Sequence, residues 1–304
     1  MILTICISTF NRNLSLEKCL KSINNINNVK NMTINVIVVD NSFNFNLSKI
    51  IKKIKKNSKY KIKFLHEKKR GIVYARNKAL NELKKINPKY ISFLDDDCIV
   101  DKYWLKNIVK TMKLTNADVV TGPQMYLKKK NLKKNLINYS EFFEKTYKAK
   151  KICRVTWSAS NNVFLKYSII KKNKLVFDKN LNKFGVGEDQ LFFLLINKIG
   201  YKIYWNEDVK VYESIHEHRL NLNWLIRRSF RLGVLGHYID IKIFGNVFGL
   251  LVNYLKSIYY FIIAFIFVFY INKNYRAKIL NYFARAYGRL IGYFVIKKID
   301  FFKK

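Results

Sequence analysis

Residues 90–97 read Tyr90-Ile91-Ser92-Phe93-Leu94-Asp95-Asp96-Asp97, an apolar run that ends directly in three carboxylates. A buried strand with that ending leaves negative charge at the rim of a sheet, where open α/β folds bind their ligands. Three adjacent acids repel one another unless they share a cation, so a divalent metal is the natural compensation. The surrounding chain makes the triplet stand out, because Lys and Arg number 58 against 20 Asp and Glu. The competing reading is an acid-capped turn ahead of a helix expected from about Tyr103. From the triplet alone the two readings weigh the same.

Working outward, strands and helices alternate. Apolar runs predict strands over Ile2–Ser8, Asn35–Val39, Lys61–His66 and Tyr90–Leu94, and another from Asp118 to Gly122. Helical spacing predicts Leu14–Asn24, Leu47–Lys56, Ile72–Leu83 and Trp104–Thr115. Such alternation calls for a mostly parallel sheet with helices on both faces.

At 304 residues, half of them apolar and with 23 Phe and 20 Tyr, the chain can bury a large core. The formal net charge of +38 invites a nucleic-acid reading. The basic residues are mostly Lys scattered among Asn and Ile, a pattern expected of an AT-rich genome. The charge is therefore discounted as a sign of nucleic acid, while anionic ligands and anionic lipid stay favoured. Cys6, Cys19, Cys98 and Cys153 show no paired spacing, so neither a disulfide framework nor a zinc site is indicated, and reduced thiols fit best. No secretory signal is read at the start of the chain.

Beyond about residue 215 the composition changes. Trp224–Gly236 mixes Arg227, Arg228 and Arg231 with Leu225 and Phe230, and residues 241–299 contain no Asp or Glu. Ile258–Ile271 is an unbroken apolar run, preceded by Val247–Leu255 with only Lys256 and Ser257 between. Together they approach the ~20 residues a spanning helix needs. The interior lysine leaves a span, a re-entrant hairpin and an interfacial helix open. Ile279–Val295 carries Phe283, Tyr287, Leu290 and Phe294 with Arg285 and Arg289, a basic amphipathic pattern that suits a membrane surface. The alternative is a Phe-rich helical pair packed on a catalytic domain. The expected division is 1–215 for the α/β domain, 216–240 for a basic amphipathic connection, and 241–304 for membrane-associated helices.

Four groups of polar residues follow predicted strands: Ser8-Thr9-Phe10-Asn11-Arg12, Asp40-Asn41-Ser42, Gly71 through Arg76-Asn77, and Asp95–Asp97. Loops after parallel strands converge at one edge, so these residues should share a crevice. Their chemistry suits a nucleoside diphosphate. Thr9, Asn11, Arg12 and Asp40 offer hydrogen bonds and charge to base and ribose, Arg76 faces phosphate, and a metal on Asp95 and Asp97 bridges two phosphates. Asp96 is read as the member of the triplet with the least to do. A second acidic pair, Glu188-Asp189 after Gly185-Val186-Gly187, falls at a helix start, where plain N-capping is the simpler explanation.

The order of these motifs resembles the family 2 glycosyltransferases with the GT-A nucleotide-sugar fold. It rests on Ser-Thr-Phe-Asn-Arg at 8–12, Val-Val-Asp at 38–40, Gly71 with Ala75-Arg76-Asn77, Leu94 through Asp97, and Gly187-Glu188-Asp189. The resemblance implies a hexosyltransferase-type enzyme in which Asp95, Asp96 and Asp97 serve the nucleotide sugar and a divalent metal (Mg²⁺ or Mn²⁺), with Asp97 the direct ligand. It implies Asp189 as general base and Glu188 as the residue positioning the acceptor. Trp157, Asn161 and Asn162, in Trp-Ser-Ala-Ser-Asn-Asn, match the acceptor-side segment. Ser8 departs from the proline many members carry, which alters a turn. His216 is a further metal-ligand candidate, weighed against an ordinary loop histidine. The tail looks like that of bacterial surface-polysaccharide transferases with lipid-linked acceptors. The expected partners are a nucleotide sugar, probed first as a UDP-sugar, a glycan or lipid-linked acceptor and an anionic membrane at its cytoplasmic face, with no nucleic acid. Two other classes stay open: a sugar-phosphate nucleotidyltransferase, which would carry a Gly-rich phosphate loop after the first strand, and a non-catalytic basic binding module, which explains the charge but not the ordered acids.

Overall fold

The structure is a computed structural model that describes residues 1–43, 54, 56–127, 151–214, 219–268 and 273–298. The helix expected over Leu47–Lys56 lies almost wholly outside the described residues, and His216 lies outside them altogether. The chain divides into two compact units. The first takes in Met1–Leu127, Glu144–Asn182 and Glu188–Ser214, and the second Lys183–Gly187 with the helical C-terminal part.

The first unit is built on an eight-stranded sheet. Its strands are β1 (Ile2–Thr9), β2 (Thr33–Asp40), β3 (Lys61–His66), β4 (Tyr90–Asp95), β6 (Val119–Thr121), β8 (Ile152–Val155), β9 (Asn162–Lys166) and β10 (Ile203–Asn206), in the spatial order β3-β2-β1-β4-β9-β6-β10-β8. β3, β2, β1 and β4 run parallel, as do β6 and β10, while β9 is inserted antiparallel between β4 and β6. A small second sheet joins β5 (Cys98–Val100), β11 (Val211–Ser214) and β7 (Gln124–Leu127).

Strand periodicity sends alternate residues to opposite faces, and two apolar layers result. Leu3, Ile5 and Ile7 of β1 pack with Leu16 and Leu20 of helix α1 (Asn13–Asn24) and with Trp104 and Ile108 of helix α3 (Trp104–Thr115). Cys6, Ile37 and Phe93 face the other way, toward Val73, Ala79 and Leu83 of helix α2 (Ile72–Ile86) and Phe192 and Phe193 of helix α5 (Glu188–Lys198). Tyr167–Asn173 forms the short α4. The expectation of a mostly parallel sheet covered on both faces therefore holds, with β9 and β8 as its antiparallel members.

Register decides where chemistry collects. Thr9 is level with Asp40 and Asp40 with His66, while Ser8 is level with Asp95. The polar ends of β1, β2 and β4 thus come out at one edge of the sheet.

The second unit is helical. Helix α6 (Leu222–Phe244) starts at Asn221, whose side chain accepts a hydrogen bond from the Trp224 backbone N–H at 2.9 Å, and it ends at Gly245. The basic segment expected to be a connection is thus mostly one continuous helix. It is followed by α7 (Asn246–Val268), α8 (Lys273–Leu290) and the short α9 (Gly292–Lys298).

Candidate active site

The site grows from the acid triplet. The triplet does not cap the helix that starts at Trp104, which has Tyr103 at its N-cap and no side-chain cap; ahead of it Asp101 Oδ1 accepts from the Tyr103 N–H at 2.7 Å. The triplet is held from below by β1 and its loop. Thr9 Oγ1 donates to Asp96 Oδ2 at 2.7 Å, and both residues are buried. Asn11 then adopts a left-handed backbone (φ 53°), which asparagine tolerates better than most residues. The turn brings Arg12 back so that Nη1 donates to Asp96 Oδ1 at 3.1 Å and to Asp97 Oδ2 at 2.8 Å. Asp96 is therefore not idle: it is the buried anchor that both side chains grip. Burial raises its carboxyl to about 6, against the pull of the Thr9 hydrogen bond and Arg12.

Arg76, at the start of the second turn of α2, is buried and lies between two carboxylates. It is ion-paired with Glu188 through Nη1 and bonds Asp95 Oδ1 through Nη2 at 3.2 Å. Its guanidinium also lies over the Phe177 ring, 5.6 Å from the centroid. Arg76, expected to face phosphate, bridges the triplet and the second acidic pair in this structure. Low-polarity surroundings raise the Asp95 carboxyl and Arg76 opposes the shift, although the Asp95 side chain keeps a 37% exposed edge. Burial likewise raises Glu188, opposed by Arg76. The Glu188 Oε2 is buried and has no hydrogen-bond partner among the described residues.

Asp189 accepts from the Ser160 backbone N–H through Oδ2 at 3.2 Å and from the Gln190 N–H through Oδ1 at 2.7 Å. It is near enough to Arg76 and Asp95 to influence the charge of both. Ser160 escaped the sequence reading; it is 1% exposed and its Oγ has no partner among the described residues. Its signal was only its place inside the Trp157–Asn162 segment. That segment divides. Asn162 is a strut: its Oδ1 accepts from Trp104 Nε1 at 2.8 Å and its Nδ2 donates to the Val209 carbonyl at 2.7 Å. Asn161 bonds Gln124, and Trp157 packs against the second apolar layer.

Asp40 lies at the far side of the edge, where its Oδ1 accepts from the Ser42 N–H (3.0 Å) and hydroxyl (2.7 Å). Asn41 closes the loop after β3: Oδ1 accepts from the Gly71 N–H at 2.7 Å, and Nδ2 donates to the Glu67 and Lys69 carbonyls at 2.8 Å. Gly71 has φ 132°, which a side chain would strain.

The donor set suits a hard divalent cation. Ligand atoms of Asp97, Cys98 and Glu213 lie within 4.8 Å of one another. Burial holds the Cys98 thiol well above its ordinary value, so it stays protonated and ligates poorly, leaving the two carboxylates. Glu213 was missed from the sequence; it reaches Asp97 because β11 pairs antiparallel with β5, opposite Cys98.

An open α/β sheet with acids, arginines and small polar groups gathered beyond the strand ends is the layout of the GT-A fold. The chain belongs to glycosyl transferase family 2, whose family model matches residues 4–172, and a second model, glycosyl transferase family group 2, matches residues 90–295. It is 26% identical over 218 residues to the succinoglycan biosynthesis protein ExoM of Rhizobium meliloti (strain 1021), covering 72% of this chain and 69% of that one. Among solved structures it is similar to the mannosyltransferase PcManGT from Pyrobaculum calidifontis in complex with GDP-Man and Mn²⁺, with TM-score 0.60, 16% identity and coverage of 95% of this chain and 86% of that one. It is also similar to S. aureus TarS 1–349 in complex with UDP-GlcNAc, with TM-score 0.56, 14% identity and coverage of 96% and 91%. The chain spans 55% of the longer TarS structure. At these identities the structural likeness speaks for the fold.

Proposed function

We propose that this glycosyltransferase moves a sugar, with inversion, from a UDP-sugar to a glycan or lipid-linked acceptor of surface-polysaccharide synthesis. The observation that carries the reading is the Arg76 bridge, which ties the acid triplet to Glu188-Asp189 in one cluster. Asp97, with Asp95 or Glu213, would hold Mg²⁺ or Mn²⁺. When bound, the cation supplies positive charge to a departing diphosphate.

The chain's own residues do the rest. Thr9, Asn11 and Asp40 line the nucleoside end, and Arg12 sits where it can turn from Asp97 to phosphate. Asp189 takes the proton from the acceptor hydroxyl as its oxygen attacks the anomeric carbon, and the nucleoside diphosphate leaves from the opposite face. A single displacement of this kind inverts the anomeric centre and needs no protein nucleophile. The unpartnered Oε2 of Glu188 is an available acceptor for a second acceptor hydroxyl. Support for the donor class comes from the UDP and UDP-GlcNAc complexes of TarS and the GDP-Man and Mn²⁺ complex of PcManGT, and support for the acceptor class from ExoM.

The reading extends to an anionic membrane surface at the cytoplasmic face, where nucleotide sugars are made. α7 is long and apolar enough to cross a bilayer, and residues 241–299 carry no acids. The test is a panel of nucleotide sugars assayed for turnover with and without Mn²⁺. Metal-dependent consumption of a UDP-sugar is expected. A preference for GDP-linked sugars would overturn the donor assignment.

A further inference from the structure

An interfacial helix needs a polar face for water, and α7 has turned Asn253 and Ser257 the other way. Asn253 and Ser257 are 1% and 0% exposed, and Gly249 and Ala264 share their stripe. The remaining circumference is open and mostly apolar: Val247 is 85% exposed, Leu251, Leu255, Ile258, Ile262 and Phe265 face outward, and Tyr254 and Tyr259 lie among them.

Inside the helical unit one set of polar groups pairs across the helices, while both ring nitrogens of His237 and the Nε atoms of Arg231, Arg285 and Arg289 have no hydrogen-bond partner among the described residues. Asp240 of α6 accepts from Arg289 of α8 and from Lys256 of α7, each at 2.6 Å. Asn253 Oδ1 accepts from Arg289 at 3.0 Å, its Nδ2 donates to the Arg289 carbonyl at 3.2 Å, and Ser257 Oγ donates to the Ala286 carbonyl at 2.9 Å. Close helix crossings make these bonds possible. A Cβ at Gly233 would fall 2.2 Å from the Arg285 carbonyl oxygen, and one at Gly249 2.6 Å from the Ile241 Cα. Small residues at crossings, hydrogen bonds between helices and apolar side chains outside are the pattern of helices packed in lipid. Lys256, the charge that left the α7 reading open in the sequence, is ion-paired with Asp240, although its side chain stays 43% exposed.

We propose that α7 is embedded among the acyl chains of an anionic-lipid bilayer, with the Asp240–Lys256–Arg289–Asn253 network as the internal latch that lets it do so. The inference rests on the membrane reading above and sharpens it from attachment at a surface to insertion. The occupant is lipid rather than protein because basic residues flank the helix at both ends, Lys242 before it and Arg276 and Lys278 after it, and no acid lies among residues 241–299.

The test uses the full chain as Leu251→Trp and Ile258→Trp, at exposed positions where the fold should tolerate the ring. The protein is mixed with vesicles about one-third phosphatidylglycerol, containing lipids brominated deep in the chain. Insertion predicts that both added tryptophans are quenched beyond the wild-type signal and that sedimentation with vesicles survives about 1 M NaCl. Binding that about 1 M NaCl strips, with no added quenching, would overturn insertion while leaving surface attachment standing. No binding at any salt would overturn both. A detergent-free dimer that shields the two tryptophans would overturn lipid as the occupant.

Discussion

In the sheet unit, Leu3, Ile5 and Val38 are fully buried and carboxylates collect at the strand ends. In the helical unit, Asp240, Asn253 and Ser257 are buried, and Leu255 and Phe265 face outward. The stripe that α7 buries is the reverse of what the sheet strands bury, although α6 still buries Val234, Leu235 and Ile239, and under the proposed insertion the two surfaces suit different solvents. Water rewards burial of apolar surface and tolerates charge at an open rim. Lipid rewards the reverse, provided every buried polar group finds a partner. Among the described residues, each unit carries one buried cation between carboxylates or carbonyls, Arg76 in the first and Arg289 in the second. Arg76 joins groups suited to chemistry, whereas Arg289 joins helices.

The comparison can be broken at four points. The largest effect is expected from Asp97→Asn, which should abolish metal-dependent binding of the nucleoside diphosphate in calorimetry while leaving thermal stability near wild type. Loss of the fold instead would make the triplet a structural feature like the helical latch. Next is Asp240→Asn, which leaves Lys256 and Arg289 without their carboxylate. Removing one partner of a buried pair costs about 3–5 kcal/mol, so the melting temperature in detergent should fall clearly. An unchanged melting curve would remove the latch from the account.

Arg76→Gln comes third. Burial raises the Glu188 carboxyl and Arg76 pulls it back, so losing the arginine leaves it higher still. The acid limb of the kcat/KM profile should therefore move to higher pH. A limb that stays put would show that the charge of Glu188 does not matter to turnover. The smallest effect is expected at the surface of the sheet unit, where the Lys63 hydrogen bond holds Glu82 below the ordinary carboxylate range. Lys63→Met should cost no more than about 1 kcal/mol in denaturant unfolding. The sign follows from the lowered value: the contribution is present above the ordinary carboxylate pKa and fades as pH falls through the folded one.

How much of this was legible depended on how local each signal was. β1, β2 and β4 are continuous apolar runs that end in polar residues, so the parallel core and its edge could be read directly. The insertion of β9 between β4 and β6 could not, because Val119–Thr121 and Asn162–Lys166 are too short to show a period and their pairing joins residues 42 to 46 positions apart. The same limit hid Glu213, which meets Asp97 only through the pairing of two short strands. Arg76 and Asn162 were found as residues, but the sequence gives no hint of which way a side chain points. In the tail, composition announced an apolar helix. Only the exposure of Leu255 beside the burial of Ser257 revealed its reversed polarity.

The central claim is that Asp189 activates the acceptor while the acid triplet serves the donor, and Asp189→Asn tests it most directly. Donor binding with Mn²⁺ should match wild type, while kcat for transfer falls by about 10²–10⁴-fold. Turnover near wild type with the same donor affinity would contradict the mechanism.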